Sequence, residues 1–213
     1  MEPYLEVVYH DNDVLVLNKP SGLLSVPGKA PEHADCLESR AQEAYPDARI
    51  VHRLDMATSG LLIMAMNPAA HRHLGLQFER RKTEKTYIAR VWGHLEPETG
   101  EVDLPLICDW PNRPKQMVCH ERGKKALTTW RVLAHEELDS GPATRVELTP
   151  FTGRSHQLRV HMLSLGHVIL GDHFYATGAP LDAAPRLQLH AERLSVFHPA
   201  DGTRMDFHAP CPF

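Results

Sequence analysis

The stretch Val51-His52-Arg53-Leu54-Asp55-Met56-Ala57-Thr58-Ser59-Gly60-Leu61-Leu62-Ile63-Met64 sets a charged turn directly ahead of an apolar run. A short unbroken apolar run after turn residues reads as a buried strand. A carboxylate at the mouth of such a strand is held rigidly while its head group stays open to a cleft. Asp55 is therefore the residue to watch. Taken alone, an Asp before Thr-Ser-Gly is more often a turn former whose side chain bonds to nearby backbone N–H groups.

The segments around this stretch supply a sheet. Leu5 to Tyr9 and Val14 to Leu17 flank Asp11-Asn12-Asp13 and read as a hairpin, which Asn18-Lys19-Pro20-Ser21-Gly22 ends in a turn. Thr86 to Trp92 is a strong strand. Leu127 to Ala134 and Ala143 to Leu148 make a second hairpin about Asp139-Ser140-Gly141-Pro142, and Leu187 to His190, Leu194 to His198 and Met205 to His208 are three further strand candidates. Helices are fewer. Asp35 with Glu38 has the form of a capping box for a short helix ending at Pro46. Asn67-Pro68 is a cap and first-position proline, with Ala70, Leu74 and Phe78 as the apolar stripe. Thr152-Gly153-Arg154-Ser155 opens a third helix, with Leu158, Met162 and Leu165 on one face and Gly166 as its stop. Hairpin strands outnumber helices and do not alternate strictly with them. The expectation is an α+β protein, a mixed, mainly antiparallel β-sheet flanked by helices and loops. No internal repeat or linker interrupts residues 1–213, so a single domain is the simplest count.

Composition narrows the class. With 42% hydrophobic and 23% charged residues the chain is an ordinary globular protein, not a disordered one. No apolar run reaches membrane-spanning length and Met1-Glu2-Pro3-Tyr4-Leu5-Glu6 is no export signal, so a cytoplasmic location is expected. Cys36, Cys108, Cys119 and Cys211 lack metal-site spacing and read as reduced thiols. Among the 15 histidines, His71 with His73 and His156 with His161 invite a metal reading, but neither pair has the spacing of two ligands on one helix face, and no metal is expected. The net charge of −4 argues against a protein that coats nucleic acid indiscriminately. Residues 71–125 nevertheless hold 11 Lys and Arg against 8 Asp and Glu, leaving 12 against 19 elsewhere. A basic zone on an acidic body suits docking of a structured polyanion.

Within that zone, residues 107–125 form a long polar connection containing Trp110-Pro111-Asn112-Arg113-Pro114-Lys115, and a loop of that length in a compact domain usually has a task. Tyr87 follows a basic run; it is either a strand-core residue or an aromatic on which a displaced base stacks. Arg154, at the head of the third helix, opposes the helix dipole, which fits a carboxylate partner, a phosphate contact or a plain surface position.

Four segments join these residues. His52-Arg53-Leu54-Asp55 with Thr58-Ser59-Gly60-Leu61, Lys85-Thr86-Tyr87, Gly153-Arg154-Ser155-His156-Gln157-Leu158-Arg159, and Arg186-Leu187-Gln188-Leu189-His190-Ala191 occur in the order found in the RluA family of RNA pseudouridine synthases, and the similarity runs from about residue 5 to the C-terminus. Within that family, residues 103–116 and His52 through Gly60 resemble the dual-specificity branch. The resemblance implies the pseudouridine synthase catalytic fold, no S4-like domain ahead of it, and isomerisation of uridine to pseudouridine in structured RNA. The target would be a tRNA anticodon-loop uridine and a 23S rRNA uridine, with base flipping before chemistry. It also implies that Asp55 is the catalytic carboxylate, that Arg154 pairs with it, and that Tyr87 stacks on the flipped uracil and helps move the C5 proton. Arg53 would enter the space left by the base, with Arg113 and Lys115 as further RNA contacts. Whether Asp55 attacks C1′, attacks the uracil ring or takes the C2′ proton stays open. The reaction needs no redox or phosphate chemistry, so no cofactor is expected; a monomer is the default.

Overall fold

The computed structural model describes residues 4–28 and 34–213. The chain forms two compact units, Met1–Lys85 with His190–Pro212, and Thr86–Leu189 with Phe213.

The first unit begins with the expected hairpin, β1 (Val7–His10) and β2 (Val14–Lys19), closed by Asp11, whose carboxylate accepts from the backbone N–H groups of Asp13 and Val14. Helix α1 (Leu37–Ala44) is capped by Cys36 and Ser39, not by Asp35 and Glu38 as the sequence suggests. Asp35 is instead taken by the Arg40 guanidinium in a bidentate pair, an option invisible to a rule that reads only three residues ahead. A two-residue strand β3 (Arg49–Ile50) precedes β4 (Ser59–Ala65), every residue of which is buried. Antiparallel pairing with β2 and β3 satisfies its backbone. Because both faces are covered, β4 reads as a continuous apolar run instead of an alternating one. Helix α2 (Pro68–Glu79) starts where Asn67-Pro68 indicates, Asn67 accepting from Ala70 N–H. Ala70 and Leu74 pack on Val14, Val16, Leu61, Ile63 and Ala65.

The second unit holds most of β5 (Glu84–Trp92), then β6 (Thr99–Asp103), β7 (Leu106–Cys108), β8 (Gln116–Val118), β9 (Leu127–Leu138) and β10 (Gly141–Pro150). The β9–β10 hairpin extends further at both ends than the sequence indicates, and it pairs antiparallel with β5 on one side and β6 on the other. The long connection at 107–125 is not structureless. Its flanks pair as the β7–β8 ribbon, Ile107 opposite Met117, around a 3₁₀ turn at Trp110–Asn112. Helix α3 (Gln157–Ser164) begins later than expected, because His156 adopts a left-handed conformation (φ 52°) and is followed, not preceded, by helical residues. Arg154 thus lies in the loop before the helix. A short α4 (Ala179–Asp182) follows.

The chain then returns to the first unit with β11 (Leu189–Phe197), one strand where the sequence suggests two, and β12 (Arg204–His208). The polar residues Glu192 and Arg193 break the apolar pattern without breaking the strand. Parallel pairing of His190 and Ala191 with Ser59 and Gly60, beside the antiparallel pairs already described, makes the sheet mixed. The α+β architecture is therefore as expected.

Candidate active site

Asp55 sits half-buried in the turn that feeds β4, and the backbone on both sides of it is fastened by the segment after β2. Ser25 Oγ donates to Leu54 C=O at 2.7 Å and accepts from Leu54 N–H at 3.1 Å. Lys19, wholly buried at the end of β2, donates from Nζ to the carbonyls of Met56, Leu23 and Pro20 at 3.0, 2.7 and 2.9 Å. Gly22 N–H also reaches Met56 C=O, at 2.8 Å, and Ser21 Oγ donates to Ala57 C=O at 2.7 Å. A buried cation is tolerated when strong acceptors replace its water shell. Here two of those acceptors, Pro20 and Leu23 C=O, belong to the loop after β2 and the third, Met56 C=O, to the Asp55 turn, so the ammonium ties the two together. Sequence reading saw Lys19-Pro20-Ser21-Gly22 only as a hairpin terminator. The signal for its burial is a Lys in the same strand as the apolar run Val14–Leu17, two positions beyond it.

Beyond the turn, Gly60 has φ of +113°, and a Cβ there would overlap the Ala191 backbone. Gly is required both for the conformation and for the approach of β11. Ser59 Oγ and His190 Nδ1 lie 2.9 Å apart, and His190 Nε2 faces Ala209 C=O at 2.9 Å. A carbonyl only accepts, so Nε2 carries the proton and Nδ1 accepts from Ser59. His52 closes the other side: its Nε2 accepts from Ile63 N–H at 3.0 Å and its ring stacks on Phe78 at 4.4 Å. Burial, helped by the Lys85 charge, lowers the His52 pKa to about 3, which keeps the imidazole in the neutral state that this acceptor role needs. Lys85 is itself pushed down by burial. Arg53, between His52 and Leu54, is exposed.

Tyr87, Arg154, Arg113 and Lys115 belong to the second unit, Asp55 and Arg53 to the first. Tyr87 is half-buried on β5, opposite Leu148 of β10. Arg154 is half-buried; its backbone N–H donates to Gln157 Oε1 and its Nε to Lys125 C=O at 3.1 Å. Arg159, five residues on, has a different setting. It is 3% exposed and grips Asp172 through Nε and a terminal nitrogen at 2.8 and 2.6 Å, with its guanidinium over the rings of Phe174 and Tyr175. In the sequence Arg159 is part of the Gly153–Arg159 motif with no role of its own. It sits among the first six residues of α3, all of them buried. Tyr175 Oη in turn lies 2.7 Å from His156 Nδ1 and accepts from Gln116 N–H at 2.8 Å. Arg113 and Lys115 come together on the β7–β8 arm, Arg113 exposed and stacked on Trp110.

The histidines that invited a metal reading are engaged in hydrogen bonds: His71 with Ile50 C=O, His73 with Gln77, His156 with Tyr175, His161 with Thr128 and Leu104 C=O. Among the described residues, Asp11, Asp13 and His198 do bring ligand-type atoms within 4.8 Å of one another. Asp11 there closes the β1–β2 turn and also accepts from Tyr9 Oη.

The pattern of the RNA pseudouridylate synthase family matches residues 13–164, which take in the Asp55 turn, Lys85-Thr86-Tyr87 and the Gly153–Arg159 segment. The chain belongs to that family and is an RNA pseudouridine isomerase. More particularly, it is 57% identical over 212 residues to the dual-specificity RNA pseudouridine synthase RluA of Salmonella typhi and to that of Escherichia coli K12, covering 100% of this chain and 95% of each relative. Among solved structures it resembles human RNA pseudouridylate synthase domain containing 1, with a TM-score of 0.84 and 32% identity over 100% of this chain and 87% of that one.

Proposed function

We propose that this enzyme has two RNA targets, a uridine in a tRNA anticodon loop and a uridine in 23S rRNA, and that both units together make one catalytic domain working as a monomer in the cytoplasm. The support for two targets is the dual-specificity name of relatives 57% identical along the whole chain. The observation that carries the active-site assignment is the clamp of Lys19, Ser21, Gly22 and Ser25 on the Asp55 turn. A catalytic carboxylate must be held to a fraction of an ångström, and no simple turn former needs four separate fasteners.

In this reading the target nucleotide leaves its stack and Arg53 enters the gap. Asp55 drives cleavage of the C1′–N1 bond, the uracil turns, and C5 joins C1′ while Tyr87 stacks on the ring and handles the C5 proton. Arg154 orients Asp55. A second assignment of that last role is favoured by burial: Arg159 is the motif arginine locked by a bidentate carboxylate, and a locked guanidinium positions a partner better than the half-buried Arg154. Arg113 and Lys115 contact RNA outside the reacting nucleotide.

Carbodiimide mapping of pseudouridine in total RNA, from cells with and without the gene, tests the targets. Loss of one anticodon-loop site and one 23S site is the expected result. Loss of a single site elsewhere overturns dual specificity and leaves the chemistry standing.

A further inference from the structure

We infer that Trp110 and Arg113, at the tip of the β7–β8 arm, form a stacking platform that holds one unpaired RNA base away from the reacting nucleotide. The chain has three tryptophans. Trp130 is buried and Trp92 half-buried, whereas Trp110 is 65% exposed, the most exposed large apolar side chain among the described residues. Exposing an indole is unfavourable unless a partner covers it. One face of the ring is already occupied by the Arg113 guanidinium, 4.6 Å from the ring centroid. A base on the exposed ring would complete a sandwich of guanidinium, indole and base.

The arm around the pair is rigid. Asp109 N–H donates to Lys115 C=O, Lys115 N–H to Asn112 C=O, and Asn112 to both the backbone and the side chain of Asp109. Its root is fixed by reciprocal bonds between Leu106 and Lys124 and by Gln116 N–H on Tyr175 Oη. A pre-organised aromatic loses little freedom on binding. Charge selects the occupant: Arg113, Lys115, Arg122, Lys124 and Lys125 outnumber Asp109 and Glu121 over residues 109–125. A basic surface carrying an exposed aromatic suits single-stranded RNA, since every base offers a π-face and the cations meet the phosphates. A protein surface as occupant is the alternative that the test separates.

This inference rests on the proposed stem-loop substrate. The test is a set of anticodon stem-loop RNAs in which each unpaired base is replaced in turn by an abasic nucleotide, with affinity measured for the parent, Trp110→Ala and Trp110→Phe. At one loop position the missing base should weaken the parent and Trp110→Phe about tenfold, as stacking on an aromatic predicts, and leave Trp110→Ala unaffected. Removing a stacked base and removing its platform then cost the same affinity once, not twice. Equal losses for parent and Trp110→Ala at every position overturn the platform. So does unchanged binding of naked RNA by Trp110→Ala combined with lower activity on ribosomal particles, which assigns the indole to a protein surface. Turnover by the parent on the unmodified stem-loop reports on the substrate assignment separately.

Discussion

The Asp55 turn and the β7–β8 arm treat their key side chains in opposite ways. Asp55 stands in the turn ahead of a strand with no exposed residue, and its neighbours in sequence are fixed by a buried lysine and two serines. Trp110 stands in the turn at the tip of a ribbon of two three-residue strands, its ring largely in water, and the arm is held by its own loop's hydrogen bonds, the Leu106–Lys124 pair and Tyr175. In the proposed function, bond chemistry tolerates little positional error and is assigned to the residue built into a core, whereas recognition of splayed RNA tolerates more and is assigned to the residues spread along an arm.

The sharpest way to break this contrast is Asp55→Asn. Product formation should fall roughly a thousandfold or more, while RNA affinity in a filter-binding assay stays within a few-fold of the parent. A variant that turns over normally, with back-deamidation excluded by mass spectrometry, removes Asp55 from the chemistry. Next, Arg159→Lys and Arg154→Lys compared side by side should separate the two candidates for orienting it. Loss of the planar bidentate fork should cost the orienting arginine about a hundredfold in kcat, and the other variant should change mainly KM.

Lys19→Met keeps the apolar stem and deletes the ammonium, stranding up to three carbonyls. Unfolding in urea should show a loss of about 3 kcal/mol or more, with kcat falling further than global stability explains. A stable variant with parental kcat would mean the turn holds itself. A more gradual effect, small per pH unit, concerns pH. His52 titrates near 6.5 when unfolded and near 3 when folded, so between those values the unfolded chain binds the extra proton. Stability from this residue is complete above about 6.5 and declines as pH falls toward 3, on the order of 1 kcal/mol per pH unit. His52→Gln, which keeps an acceptor for Ile63 N–H, should flatten that part of the profile. Smallest of all, Lys115→Ala should weaken binding uniformly across RNA sequences and lower the salt-dependence slope by about 1; an effect confined to one sequence would make it a base reader.

What could be read from the chain follows the range of the interactions. The β4 strand, the Asn67-Pro68 helix start and the β9–β10 hairpin are local patterns, and they lie where periodicity puts them. The clamp was not readable, because Lys19 and Met56 are 37 positions apart and nothing in either segment names the other. The Cys36 cap escaped because cysteine is a poor capping residue and Asp35 an obvious one. The arm looked irregular because two three-residue strands around Pro111 and Pro114 fall below the length that alternation needs to show. Arg154 drew attention by its place before the helix, whereas the burial of Arg159 depends on Asp172, a loop away.

The Ser59-Gly60 crossing on His190-Ala191 also has a consequence in time. A ribosome releases the Asp55 turn early, yet the strand that seats β4 on its parallel side lies beyond residue 188. Domains emerging from the ribosome fold in order of synthesis, and this unit is an exception, since its two pieces are separated by the whole of the other. A nascent chain therefore carries the complete β7–β8 arm before β11 has emerged to seat β4 on its parallel side.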